Sequence, residues 1–355
     1  MGSKRAGVCG GRFVLSLDFE MYWGIRDLFP LSFYREQLSR ERAVVRKLLA
    51  LFSEYGIACT WAVVGFLFAE SPEELADALP DLRPGYREAN LSPYPYIASG
   101  QLRDGDKAAP GHFAFELIRE IGRTPRQRVS THTFSHYYCL EEGQTIEEFR
   151  EDLKAAIRLA GQKRFRLESI VFPRNQCNPA YLGVLKELGI RSYRGNPRHR
   201  IYRNGWSGRD APWKRAIRLL DAYFNLTGHH CYAVEACPAD VPVNVPASHF
   251  MRPYCRLLGW LEPLRVRRIL RSMTYAARRG LVYHLWWHPY NFSRDEDKNM
   301  DALKRVLSHY QKLHREYGMQ SLNMEELSDQ ILERTAGRTA ATGKNASVRQ
   351  REEKT

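Results

Sequence analysis

The sequence predicts a parallel α/β fold, and three observations carry that expectation. Apolar, β-rich runs alternate with amphipathic helical stretches along most of the chain. The first such trio has the spacing of a strand-helix-strand unit. Titratable residues gather just after the predicted strands. A unit of that spacing pairs its strands in parallel, and parallel α/β folds place their sites at the carboxyl ends of the strands. A chain of 355 residues suits one large domain, and a domain of ~300 residues buries roughly 75% of its unfolded surface. Such a core needs no disulfides.

The elements follow in order. Residues 1–12 read as a flexible N-terminus leading into an apolar strand, Arg12 to Leu17, which runs into Asp18-Phe19-Glu20. A helix is expected from Ser39 to Tyr55, with Val44, Val45, Leu48, Leu49 and Phe52 on one face and Gly56 as its stop. Ile57 to Gly65 is the next buried strand. Residues 71–110, rich in Pro, Gly and Tyr, read as a long excursion over one face, the kind of loop that serves a site. A helix from Phe113 to Ile121 and a strand from Arg128 to His132 come next. Thr145 caps a helix through Leu159, with Thr145 and Glu148 spaced as a capping box. Then come a strand over Ser169 to Pro173, a helix over Pro179 to Leu188, and a strand opening at Ile190 to Tyr193. The pattern weakens over 196–255, read as an irregular insertion on the substrate side. It returns with a helix over Pro263 to Arg279, a strand over Leu281 to Trp287 ending at His288, and a helix over Asp295 to Tyr317. Ser321 to Leu332 reads as a short strand and helix. The catalytic domain is thus expected over 13–334, with a disordered polar tail over 335–355.

Composition narrows the partners. Fifty-four Lys and Arg against forty Asp and Glu give a net charge of +14. That balance suits an anionic partner, but the cations are scattered instead of forming one block, so nucleic acid is not the expected partner. Seven cysteines without a CxxC pair fit reduced thiols in the cytoplasm better than a secreted framework. No apolar run reaches signal-peptide or membrane-span length. A cytoplasmic chain without a membrane span is expected.

The chemistry-bearing residues cluster at strand ends. His132 and His136 are four apart, a spacing that on a helical turn puts both on one face within reach of a single ion. Asp18 or Glu20 would complete an open site with room for water. Residues i and i+2 of a strand share a face, so both carboxylates can enter one cleft, one as ligand and the other as general base. His288 ends the last clear strand and is the candidate general acid, preferred to His284, which lies deeper in the same strand. Arg174, after Phe172-Pro173, is placed to orient the base or an oxyanion.

This order of features resembles the polysaccharide deacetylase family, also called the NodB-homology or carbohydrate esterase 4 group, over residues 13 to 330. The shared signs are the carboxylate pair ending the first strand, Thr60-Trp61-Ala62-Val63-Val64-Gly65, the segment Thr131-His132-Thr133-Phe134-Ser135-His136, the Pro173-Arg174 strand end and His288-Pro289. The resemblance implies a distorted (β/α)7 barrel and a divalent metal, expected to be zinc, with cobalt, manganese or nickel as substitutes. It implies His132 and His136 as ligands, Glu20 as the third and Asp18 as the base. Two departures stand out: Ser16-Leu17-Asp18-Phe19-Glu20 replaces the family's Thr-Phe-Asp-Asp-Gly, and Pro173-Arg174 alters its Arg-x-Pro order.

The function so implied is metal-dependent removal of an N-acetyl or related acyl group from a sugar in surface-polysaccharide or glycoconjugate biosynthesis. The expected substrate is an N-acetylated sugar, acidic or linked to a nucleotide or lipid. Two other readings fit the same residues: an amidohydrolase acting on a non-sugar C–N bond, and a catalytically silent protein that binds glycan or nucleic acid on this fold.

Overall fold

The structure is a computed structural model, described for residues 10–102, 111–202 and 211–334. The N-terminal residues 1–9 and the tail 335–355 lie outside the described residues.

Among the described residues nine strands form one sheet, and every pairing between named strands is parallel. They are β1 (Arg12–Phe19), β2 (Cys59–Val63), β3 (Gln127–Thr131), β4 (Ser169–Val171), β5 (Ser192–Arg194), β6 (Val243–Asn244), β7 (His249–Phe250), β8 (Val282–Trp287) and β9 (Gln320–Leu322). Spatial order is β6-β5-β4-β3-β2-β1-β8-β7, with β9 beside the first half of β1. All eight residues of β1 are buried, as expected of a central parallel strand covered on both faces.

The two ends of this sheet are one piece of chain. Val243, Val245 and Ala247 donate their N–H groups to Arg191, Tyr193 and Gly195 beside β5, whereas Ser248 and Met251 donate to His284 and Trp286 of β8. Residues 243–251 therefore act as a single bent strand that bridges β5 to β8. Pro246 sits at the bend, where it has no N–H to leave unpaired. Counted this way, seven strands ring the core, which is the distorted (β/α)7 barrel that the sequence resemblance implies.

Helices connect the strands. Leu31–Tyr55 follows β1 and ends at Gly56 in the left-handed region (φ 66°). Phe115–Arg123 precedes β3, Ile146–Gln162 follows it with the Thr145–Glu148 capping box in place, and Glu262–Arg279 and Glu296–Tyr317 flank β8. A last helix covers 324–334. The excursion after β2 is more regular than expected: Pro72–Ala78, with Pro at its start and a Ser71 cap, and Tyr94–Ala98 are helical. The stretch 196–255, read as irregular, holds the helix Pro212–Asp221 and both halves of the closing strand. Two-residue strands in a Pro-rich segment carry no period that the sequence could display. None of the described helices is long and apolar enough to cross a membrane.

Candidate active site

Parallel strands bring their carboxyl ends to one rim. β1 delivers Asp18, and Glu20 follows it. β3 leads directly into His132. In the β1–β8 register Leu17 faces Trp287, so Asp18 and His288 stand side by side where those strands end. Asp18, Glu20, His132 and His136 are each at most 4% exposed. Four ionisable groups buried together require mutual compensation.

Glu20 Oε2 lies 3.1 Å from His132 Nε2 and 3.0 Å from His136 Nε2. The other nitrogen of each ring is already committed. His132 Nδ1 is 2.8 Å from the Val171 carbonyl, which can only accept, so Nδ1 carries the proton. His136 Nδ1 is 3.1 Å from the Tyr138 hydroxyl, which itself donates to Asp27 at 3.2 Å. The Tyr138 oxygen is thus left to accept from His136. With Nδ1 so committed, the Nε2 atom of each ring is the one turned toward the Glu20 carboxylate. Burial above all pushes His136 down despite Glu20 beside it, which favours the unprotonated Nε2 that a metal ligand needs. Ligands about 2.0–2.1 Å from one tetrahedral ion are separated by roughly 3.3 Å, close to the spacing found. The protonated second nitrogens have the partners that orient metal-ligating histidines. The donor set fits a divalent metal.

The histidine segment does not form a helical turn. Thr133 (φ 63°) and His136 (φ 59°) are both left-handed, so the four-residue spacing works through a folded loop. Asp152, from the helix Ile146–Gln162, staples it, accepting from Phe134 N at 2.7 Å, Ser135 N at 3.1 Å and the Ser135 hydroxyl. Burial pushes Asp152 up to about 6 against those three bonds. Thr133 Oγ1 accepts from Tyr137 N at 2.7 Å and closes the loop.

Asp18 has a different partner from the one its sequence suggests. Arg194 forks onto it, with Nη1–Oδ1 2.6 Å and Nη2–Oδ2 2.7 Å, and also donates to Ser16 and Asn175. Its guanidinium lies 4.1 Å from the Trp286 ring centroid. Burial alone would raise Asp18, but Arg194, His132 and His288 outweigh it and hold the carboxyl below its usual range. The expectation that Arg174 orients the base is corrected. Arg174 pairs with Asp27 and lies 4.2 Å from the Tyr138 ring centroid, supporting the His136 side of the centre. The sequence pattern does not single out Arg194, because the strand expected to open over Ile190 to Tyr193 stops one residue short of it. A strand that continues one residue further presents Arg194 on the same face as Ser192, at a carboxyl end.

His288 Nε2 faces the acids, 3.7 Å from Asp18 Oδ2 and 3.4 Å from Glu20 Oε1. The Asn291 side-chain amide lies 3.2 Å from its Nδ1 and orients the ring. His284 is wholly buried and 2.8 Å from the Ser16 hydroxyl, with burial and Arg194 pushing it down to about 3. It is a neutral strut inside the barrel. Tyr290 donates to Glu20 Oε1 at 3.2 Å. Gly24 is a further requirement with no signal in the sequence pattern, because a Cβ there would collide with the Glu20 carboxyl. A cavity of about 420 Å³ opens above these groups, lined by Asp18, Glu20, His136, Trp286 and His288 among others.

No known family model matches the sequence, and no curated protein matches it. Solved structures do. One assigned as a polysaccharide deacetylase from Mycobacterium smegmatis is 13% identical, covers 92% of each chain and has a TM-score of 0.57. A second so assigned, from Pseudomonas aeruginosa PAO1, is 12% identical over 90% of this chain and 89% of its own, with a TM-score of 0.51. A GH57-type branching enzyme from Pyrococcus horikoshii is 12% identical over 90% and 70%, also at 0.51. The likeness is one of fold. This protein has the NodB-type barrel of the polysaccharide deacetylases, and the same architecture carries a GH57-type branching enzyme, so the reaction has to be argued from the site.

Proposed function

We propose that the chain is a divergent member of the polysaccharide deacetylase family, a metal-dependent hydrolase that removes an N-acetyl or related acyl group from a sugar. The observation that carries the reading is the pair of imidazole Nε2 atoms converging on one oxygen of buried Glu20. Glu20, His132 and His136 would hold the ion. A divalent cation, zinc by the tetrahedral N/O donor set, supplies Lewis acidity toward the acyl carbonyl and acidifies water.

The protein groups divide the remaining work. Asp18, kept ionised by Arg194, accepts the proton of the attacking water. Arg194 fixes the carboxylate with a two-pronged bond, which leaves it one orientation. As the new C–O bond forms and the C–N bond breaks, His288 in its imidazolium form passes its Nε2 proton to the departing nitrogen and is left as the neutral ring, and acetate and a free amine result. Trp286 supplies an aromatic face in the same cavity, suited to a sugar ring. The described cysteines are free thiols, which supports the cytoplasm as the compartment and a biosynthetic intermediate as the substrate.

The test is acetate release from N-acetylated sugars, nucleotide-sugars and oligosaccharides by metal-loaded protein. Asp18→Asn is expected to keep the metal and lose turnover by about 10²–10⁴-fold. Binding of a glycan with no acetate released from any of these would instead make the chain a silent binding protein.

A further inference from the structure

The cavity above the metal centre has a second end that the proposed reaction does not use. It runs outward to Tyr202, Arg218, Asp221, His249 and Arg252. Arg252 follows β7, half-buried, and its guanidinium has no hydrogen bond and no acidic partner among the described residues. Burial disfavours its charge, and the nearby Arg218 adds repulsion. Arg218 itself donates to the Ile201 carbonyl.

Among the described residues, the one acid lining this end is already satisfied. Asp221 accepts from the N–H groups of Leu226 and Thr227, both at 2.9 Å, from Thr227 Oγ1 at 2.7 Å and from Tyr202 at 2.8 Å. It also has Arg268 3.9 Å away on the side of the helix Glu262–Arg279. Among the described residues this end of the cavity is therefore positive, and a half-buried cation with no partner among them marks a place for a ligand's charge. The His249 ring lines the same wall with both nitrogens free of protein partners.

We propose that Arg252 anchors an anionic group, phosphate or carboxylate, carried by the acylated sugar whose amide reaches the metal centre. The inference rests on the proposed deacetylase reading for the orientation of the sugar, but not for the binding of the anion. The guanidinium matches either group through paired N–H donors. The cavity volume of about 420 Å³ is within the ~300–1,000 Å³ of sites that enclose a small ligand, which favours one charged sugar over a long polymer. Phosphate and carboxylate share this chemistry, and the choice of probes separates them.

Calorimetric titration of metal-loaded protein tests the proposal. The probes are N-acetylglucosamine and N-acetylgalactosamine, their 1-phosphates, their nucleotide diphosphate forms and an N-acetylated uronic acid. At least one anionic form is expected to bind about tenfold or more tightly than its neutral parent, the scale of a charge-assisted bond. That ratio should fall toward one in Arg252→Gln and recover in part in Arg252→Lys, with unfolding midpoints confirming that both variants fold. A ratio near one in the wild type, or a ratio untouched by Arg252→Gln, overturns the subsite. Acetate release, read in parallel, keeps the two proposals apart. An anion preference that depends on Arg252 without any acetate release overturns the deacetylase reading alone. Release from neutral and anionic sugars with equal kcat/KM and equal Kd overturns the subsite alone.

Discussion

Two clusters in this barrel set two histidines around one carboxylate, and they are built for different ends. Glu20, His132 and His136 bring their donor atoms within 4.8 Å of one another, and so do Asp221, His230 and His249. What separates them is the state of each lone pair. The Glu20 oxygens meet two imidazole nitrogens, the His288 ring and one tyrosine hydroxyl, and both ligand histidines have their second nitrogen anchored elsewhere. Asp221 already takes four hydrogen bonds, and His230 Nε2 is tied to Thr227 Oγ1 at 2.7 Å. Arginines 218, 252 and 268 stand around it. In one cluster the ligand atoms face one another; in the other the carboxylate is spent on hydrogen bonds and has arginines beside it. Proximity of ligating types is weak evidence, and the accounting of hydrogen-bond partners decides.

The largest contrast is catalytic. Glu20→Gln should cut turnover by about 10³-fold or more, since the ion contributes several kcal/mol, whereas Asp221→Asn should leave kcat within about threefold. Equal losses in the two variants would erase the distinction. Next comes Arg194→Met, which strands the buried Asp18 charge. It should destabilise the fold by about 3–5 kcal/mol in denaturant titrations and lower kcat with little change in KM. A smaller effect is expected at Asp221→Ala, which orphans two amide N–H groups and two hydroxyls. A loss on the order of 1–3 kcal/mol with unchanged metal content would confirm a structural carboxylate.

The smallest effect is on pH dependence. His284 falls from an ordinary 6.5 to about 3 in the folded chain, so between those values the unfolded state binds the extra proton. Stability from this residue is full above 6.5 and declines as pH falls, by up to about 1.4 kcal/mol per unit. His284→Gln should flatten that part of the stability profile. An unchanged acid slope would show that other groups set it.

Much of the barrel was legible because buried parallel strands are continuous apolar runs and their helices end on glycines such as Gly56 and Gly280. The rim residues Asp18, Glu20, His132, His136 and His288 were legible for the same reason, since a strand end announces what it presents. The partner of Asp18 was not. Arg194 reaches across the barrel interior from β5 to β1, a contact 176 residues apart in sequence, and no local pattern encodes that. Arg174 looked equivalent in sequence, yet its left-handed backbone (φ 53°) accompanies a side chain paired with Asp27. The closing strand 243–251 was hidden because each half pairs for only two residues.

Metal content per chain, measured on protein loaded with Zn²⁺ and freed of excess ion, tests the account most directly. One ion is expected in the wild type, in Asp18→Asn and in Asp221→Asn, and none in His132→Ala or Glu20→Gln. An ion that survives Glu20→Gln but is lost with Asp18→Asn, or one lost with Asp221→Asn, would contradict it.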